Sequence, residues 1–440
     1  MRTELGERLD DLATQAPAGI SADGLWDRGR RRQRVRRAAG TAAAAALTLV
    51  AVLGGVQVAR DMDGPPQPAD EPRGLGHLPK RLYEPSAWTP GTDEAGPPGR
   101  LAALGASDRR RSVNWFTTVS YTGIYGVSAV DGSIRFLDLP TTDDKTMPGQ
   151  IRDAALSPDG RTVGFVRSDD TPTADSHAVG WGLYDTVTGK VTELADPDVS
   201  RPEIDFVGQE LLFSGDSRYL ITGYAPDGQT DDKADSYVAW DVRTGRKTVI
   251  EGPGEKWLPN PGSAPSGIVW SRDRNVYRFD PATGQRQTLR TAMDAGTASF
   301  GPDGTAFAYV GVPPVDPDPD VSTPWPLFVG PDSKHLRVVP GITDVRDILG
   351  WVDSTHVVVV IKNVDYAIVD ITDATAERGT IDLGQDDLLR SRFASDLWAN
   401  PLVDGTKPEQ YRNPAIARAT TTGAVVVGLV CLVIWWRRRV

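Results

Sequence analysis

The chain has 440 residues, of which 39% are hydrophobic and 24% charged, with 34 Pro, 45 Gly and a formal net charge of −11. That length allows one large domain with appendages. A lone cysteine, Cys431, excludes an intrachain disulfide and any multi-cysteine metal site, and the acidic balance argues against bulk binding to nucleic acid.

Residues 1–38 form a short head. Leu5, Leu9 and Leu12 fall at i, i+4 and i+7, the spacing of a small amphipathic helix. Seven Arg follow between Arg28 and Arg37. Such a basic run can serve a nucleic acid, but here it abuts Ala38 to Ala59, 22 residues without a charge. Residues 39–59 are therefore expected to be a transmembrane helix, since that length spans a bilayer and Arg accumulates on the cytoplasmic side. A cleaved signal peptide fits less well, because the basic region is too long and Gln57 sits badly in a cleavage site ending at Ala59. Nine Pro lie between Asp61 and Arg100, so residues 60–98 read as an extended spacer. Its later part, around Leu82 to Trp88, is expected to pair with the end of the next domain.

From residue 99 the pattern repeats. One half of the unit is a turn followed by an apolar strand, as in Leu156–Val166, Phe213–Tyr224, Phe300–Val310 and Gly350–Ile361. The other half is a strand ending near Asp, a short turn, and a further strand, as in Trp181–Leu194, Ala239–Ile250 and Val276–Leu289. Aligning these halves marks Ala129, Asp185, Asp241, Asp280, Gly330 and Asp370, spaced by 56, 56, 39, 50 and 40 residues. Their mean of about 48 is a propeller-blade length. An all-β, six-bladed propeller is expected over residues 99–384, with a seventh blade open if the two ends build one jointly. Within it, Asp131-Gly132 between alternating strands signals a hairpin, and Trp115, Trp181, Trp240, Trp270 and Trp351 are expected to pack in or between blades.

The turns Ser157-Pro158-Asp159-Gly160 and Gly301-Pro302-Asp303-Gly304, each followed by an apolar strand, together with Tyr/Phe-Asp-x-x-Thr-Gly at Tyr184–Gly189 and Phe279–Gly284, resemble the repeats of TolB-type, WD-repeat-like bacterial β-propellers. Two blades depart from that pattern, with Trp351-Val352-Asp353-Ser354 at one turn and Gly330 in place of Asp. The resemblance implies the fold; it carries no site residue across.

After residue 384 the pattern gives way to a polar linker, 385–414. Residues 415–436 are expected to form a second transmembrane helix, because Ala419 to Trp436 holds 18 uncharged residues, followed by Arg437 to Arg439 in a basic tail, 437–440. Both termini are then cytoplasmic and the propeller extracytoplasmic, with the two spans side by side if the ring closes. Nine Arg against six acids in the head and three Arg in the tail leave the rest of the chain at −17.

No nucleophile elbow, zincin, phosphate loop or dinucleotide motif occurs, and His77, His177, His335 and His356 are scattered. Asp316, Asp318 and Asp320 alternate as Ca²⁺ ligands can, yet Val321 holds the position where the calcium loop needs Gly and Leu327 the twelfth. Asp231-Asp232-Lys233 and Ser168-Asp169-Asp170 read as loop tips, and the loops at Trp257 and Trp325 as aromatic, Pro-rich surface. No catalytic residue, metal ligand or cofactor is assigned. These features lead to an envelope protein tethered in the cytoplasmic membrane that binds a protein partner or surface ligand. Two alternatives stay open, a hydrolase or lyase with carboxylates in the propeller channel and a transmembrane regulator.

Overall fold

The structure, a computed structural model, describes residues 76–112, 117–140, 154–168, 178–195, 202–203, 211–226, 236–250, 262–313, 324–362, 365–382 and 393–411, with Thr14, Gly428, Leu432–Trp435, Arg437 and Arg438. They fall into two units, one of residues 66–413 and one formed by the two chain ends. In the second unit, Gly428 and Leu432–Trp435 are helical, with Leu432 to Trp435 44–53% exposed. Among the described residues no helix is long and apolar enough to cross a membrane. The run 39–59 and the rest of 415–436 lie outside the described residues.

The larger unit is nearly all β, with six antiparallel sheets in chain order. Blade 1 holds β1 (Leu101–Ser112), β2 (Thr118–Ser128) and β3 (Ile134–Phe136); blade 2 holds β4 (Ala154–Leu156), β5 (Thr162–Ser168), β6 (Ala178–Asp185) and β7 (Val191–Leu194). Blade 3 holds β8 (Pro202–Glu203), β9 (Leu212–Phe213), β10 (Tyr219–Pro226), β11 (Ser236–Asp241) and β12 (Lys247–Ile250), where β8 and β9 share one edge of β10. Blade 4 runs through β13 (Gly262–Ala264), β14 (Gly267–Arg272), β15 (Asn275–Asp280) and β16 (Gln285–Arg290). Blade 5 has β17 (Asp294–Phe300), β18 (Phe307–Val312), β19 (Leu327–Gly330) and β20 (Arg337–Val338), and blade 6 has β21 (Val345–Trp351), β22 (His356–Ile361), β23 (Asp365–Asp370) and β24 (Thr375–Thr380). Each of the six repeat markers sits at or one residue beyond the end of the third strand in its blade, counting β2 as third in blade 1 and β8 with β9 as first in blade 3.

Apolar clusters join consecutive sheets. Trp181 of blade 2 meets Trp240 of blade 3 with ring centroids 5.7 Å apart, amid Phe213, Leu220 and Val238. Ile221 and Tyr219 of blade 3 pack with Ile268 and Trp270 of blade 4, and Val276 of blade 4 with Phe300 and Phe307 of blade 5. Val310 and Val329 meet Val357 and Val359 of blade 6, and one last cluster joins Val358 and Val360 to Leu101, Leu104 and Phe165. Blade 6 is thus packed against blades 1 and 2, and the ring is closed, consistent with a six-bladed β-propeller. Full burial of each large side chain contributes about 1.5–3 kcal/mol relative to exposure.

Closure is made by the chain ends. Blade 1 lacks the short first strand that blades 2 to 6 possess. Phe393 supplies it by bridging Ala103 antiparallel, and the Ala394 N–H donates to the Ala102 carbonyl at 3.0 Å. The ends therefore complete the first blade and do not build a seventh. Lys80–Leu82 pairs with the end of blade 6, where the Leu82 N–H donates to the Asp382 carbonyl at 2.8 Å. Residues 84–91 of the expected spacer instead lie along blade 1. Pro79 and Val403 form a parallel bridge, Asn400 Nδ2 donates to the Gly76 carbonyl, and Ser86 Oγ to the Tyr411 carbonyl. Stretches that read as spacer by composition pack here because Leu78, Phe393, Leu397 and Trp398 are at most 4% exposed.

The seam generates a test. Phe393→Ala removes a side chain that is 2% exposed, and should lower stability by about 3–5 kcal/mol, read as a lower urea midpoint at unchanged slope.

Candidate functional site

The repeated Asp residues are structural. Asp185 accepts the N–H groups of Val187 and Thr188 at 2.9 Å, Asp241 those of Arg243 and Thr244, and Asp280 and Asp370 the N–H two residues on. In each case a carboxylate satisfies turn donors that strands leave orphaned. Where Gly330 replaces the marker Asp, Asp332 takes over by accepting from Lys334 and His335. The other set of turns is built alike, with Asp159, Asp216, Asp303 and Asp353 as acceptors. Gly160 in the first of these turns has φ +73°, and a Cβ there would stand 2.1 Å from the Leu101 carbonyl oxygen, so the close approach of this turn to blade 1 requires Gly.

His335 and His356 cap two of these tips. His356 Nδ1 lies 2.9 Å from Asp353, and Nε2 3.8 Å from Asp370 Oδ2. Burial works to raise the Asp353 carboxyl, but hydrogen bonds from His356 and from the Thr355 N–H and hydroxyl outweigh it and hold the group at about 2. His77 meets the Pro401 carbonyl, and His177 lies outside the described residues. Among the described residues no three His, Cys, Asp or Glu are placed to hold a metal. Asp316 to Asp320, Asp231 to Lys233, Asp169, Asp170, Trp115 and Trp257 also lie outside them.

Trp181, Trp240 and Trp270 are 0–2% exposed and Trp351 8%, as packing residues should be. Trp240 Nε1 donates to Thr222 and Trp351 Nε1 to Ser299. Trp325 is half-buried with the Arg346 guanidinium 5.1 Å from its ring. Among the described residues the strands nearest the ring axis bear acids on blades 5 and 6 and, at Glu203 of β8, on blade 3. Asp294 lies 3.8 Å from Arg274, and Asp347 caps Ile348; in the loop just before β21, Asp344 lies 2.8 Å from Arg346. Among the described residues no three carboxylates converge there.

The most distinctive chemistry lies on the rim of blade 1. Arg109 Nη1 and Asp138 Oδ1 are 2.6 Å apart, with side chains only 5% and 8% exposed. Burial alone pulls the Arg109 pKa down, but the hydrogen bond and charge of Asp138 more than restore it. The guanidinium also lies 5.1 Å from the Phe136 ring. Above this pair passes a short helix, α1 (Thr92–Ala95). The Asp138 N–H donates to Thr92 Oγ1 at 2.9 Å, and the Asp93 N–H to Asp138 Oδ2 at 2.9 Å. Arg135 donates to the carbonyls of Ala95, Gly96 and Pro97 at 2.9–3.0 Å. Burial and the neighbouring Asp138 raise the Asp93 carboxyl, and burial pushes the Tyr184 hydroxyl up to about 12. A Cβ on Gly91 would stand 2.0 Å from Asp138 Oδ2 and 2.1 Å from Arg109 Nη2, so the segment leading into α1, a strap across blade 1, lays its backbone directly on the ion pair.

The run Asp108-Arg109-Arg110-Arg111 invites reading as a solvated charge cluster. In the structure β1 alternates only from Ala106 on, burying Ser107 and Arg109 and exposing Asp108 and Arg110; the apolar residues before it are buried in both phases and set no such signal.

No family model matches the chain, and no curated protein matches it. Among solved structures, TolB from Acinetobacter baumannii is similar at 13% identity over 66% of this chain and 67% of that one, with a TM-score of 0.38. An oligogalacturonate lyase in complex with manganese is similar at 12% identity over 64% of this chain and 86% of that one, with a TM-score of 0.41. A chain of a mitotic checkpoint complex is similar at 12% identity and a TM-score of 0.34; the match covers 52% of this chain and 63% of that one.

Two outcomes follow from these charges. Asp138→Asn leaves Arg109 buried without its counter-charge and should cost about 3–5 kcal/mol in urea denaturation, while Arg109→Met with Asp138→Leu should recover most of it. Asp353 is depressed, so its contribution is present above the unfolded carboxylate value and lost as pH falls towards 2. With the side chain 50% exposed, solvent screening leaves about 1 kcal/mol. Asp353→Asn should show that deficit at pH 7 and approach wild type below pH 3.

Proposed function

We propose that this protein is a membrane-tethered β-propeller of the bacterial envelope, TolB-like in its repeats, that serves as a platform for a protein partner or surface ligand. The observation that carries the reading is the seam. Both ends of the ring come to the junction of blades 6 and 1, tied by Asn400 to Gly76 and by Ser86 to Tyr411. Both linkers thus start from one side of the ring, as two anchors of one domain require. Uncharged runs follow outward in each direction, the first preceded by the cluster Arg28 to Arg37 and the second followed by Arg437 to Arg439. By the positive-inside rule both basic ends stay in the cytoplasm and the ring lies outside.

A platform suits the turn chemistry as well. Its carboxylates are engaged in capping the backbone, and the rigid ring holds its connecting loops at fixed positions. At −17 the chain between the basic ends favours a partner that is not itself strongly acidic.

Labelling tests the topology. With Cys431, the sole cysteine, replaced by Ser, Lys334→Cys at a blade 5 turn should react with a membrane-impermeant maleimide in intact cells. Ser21→Cys in the head should react only after lysis. Equal labelling of both before lysis would overturn the two-span reading. Crosslinking in cells should then join propeller loops reproducibly to one envelope protein; self-crosslinks alone would count against a stable partner.

A further inference from the structure

The stretch from Tyr83 to Arg100 is held in an unusual way for a segment built into a core. It contains no Leu, Ile, Val, Phe or Met, and its buried residues are Pro85, Thr89, Gly91, Thr92, Gly96, Pro97, Pro98 and Gly99. On either side stand fully apolar anchors, with Leu78 and Leu101 both 0% exposed and Leu82 9%. Polar contacts fasten the stretch between. Ser107 Oγ donates to Glu84, the Arg110 N–H to the Ala87 carbonyl at 2.7 Å, and the Phe136 N–H to the Pro90 carbonyl at 3.3 Å. To these add the grip of Asp138 on Thr92 and Asp93 and of Arg135 on three carbonyls. Thr89 Oγ1 is buried with no partner.

The bridge between Gly91 and Phe136 runs parallel along the outer edge of β3. The strap therefore binds blade 1 as a peptide adds to a sheet edge, with main-chain pairing for affinity and one pocket for specificity. The pocket admits a residue without Cβ and then a hydroxyl, Gly91-Thr92, and takes the Asp93 N–H on Asp138, while the Asp93 side chain is 61% exposed. Beneath it the ion pair of Arg109 and Asp138 is already formed.

We propose that residues 83–100 are a displaceable latch, a peptide bound in cis that lifts from blade 1 between its two apolar anchors while the ring stays closed. Segments with few buried apolar contacts and solvent-exposed hydrogen bonds open at the low end of a protein's local stabilities, and the bonds of Asp93 to Asp138 and of Arg135 to Ala95 are exposed. Lifting bares the outer edge of β3 and the pair below to a partner segment of the same kind, a residue without Cβ that pairs with Phe136 followed by a hydroxyl. Occupation by a foreign partner rests on the platform reading. The latch itself does not.

Hydrogen exchange read by mass spectrometry on the full chain in detergent micelles tests it. In the wild type, amides of residues 84–99 and Phe136 should exchange at least tenfold faster than those of β18 and β22, while residues 76–82 and 393–403 keep the slow rate. Gly91→Ala should speed the strap by a further tenfold or so and leave β18 and β22 unchanged. A synthetic peptide of residues 84–99 should restore protection at Phe136 in that variant, and the same peptide carrying Gly91→Ala should not. If the strap exchanges only at the rate of β18 and β22, or only together with 76–82, the latch is refuted even where the variant fails to fold. A Gly91→Ala protein whose Phe136 ignores the wild-type peptide would refute the cradle. Neither result depends on which side of a membrane the ring occupies.

Discussion

A small sheet with two apolar faces cannot stand alone in water, so the molecule depends on closing its ring, and closing rests on the pairing of Ala103 with Phe393. Without that pairing the inner edge of β1 would present unsatisfied donors and acceptors in an otherwise dry cluster containing Leu101, Leu104 and Trp398. The arrangement joins residues nearly three hundred positions apart. Such a closure is a contact of very long range, with five blades between its partners. Loop-closure entropy grows slowly with length, so the distance itself adds little to the cost.

How much of this was legible follows the range of the interactions. Blade count and the order of strands were readable because each marker turn is local: Asp185, Asp241 and Asp370 cap donors two or three residues on, and the chemistry of capping is written in adjacent letters. The departures explain themselves in the same terms. Gly330 needs no carboxylate because Asp332 supplies it from within the turn, and Asp353 caps its turn although Pro is missing. Ring closure was half legible. Leu82 was placed against the last blade by position alone, whereas the pairing of Phe393 with Ala103 has no local signature.

The rim of blade 1 was not legible as a site. Asp138 follows an apolar strand and Arg109 opens a run of three Arg, and either taken alone suits a solvated surface. Their pairing emerges only when β1 and β3 flank β2 in one sheet. Burial of both is tolerable because each has other partners as well, Phe136 for the guanidinium and the Asp93 N–H for the carboxylate. Sequence periodicity does not decide whether Asp108 or Arg109 points inward, since residues 101–106 are apolar in both phases, and it does not show what Arg109 meets.

The acidic composition changes meaning in this light. A chain at −17 between basic ends suggests an acidic face waiting for a cation or a basic partner. Yet Asp159, Asp185, Asp216, Asp241, Asp280, Asp303, Asp332, Asp353 and Asp370 each accept a backbone N–H. A propeller needs two such turns per blade, and Asp is the shortest side chain that caps them while charged. The charge is thus in large part a count of turns, and carries less information about a partner than its size implies. What distinguishes one blade from the next is where charge is buried without a turn to cap, and among the described residues blade 1 holds the clearest case, the pair under the strap.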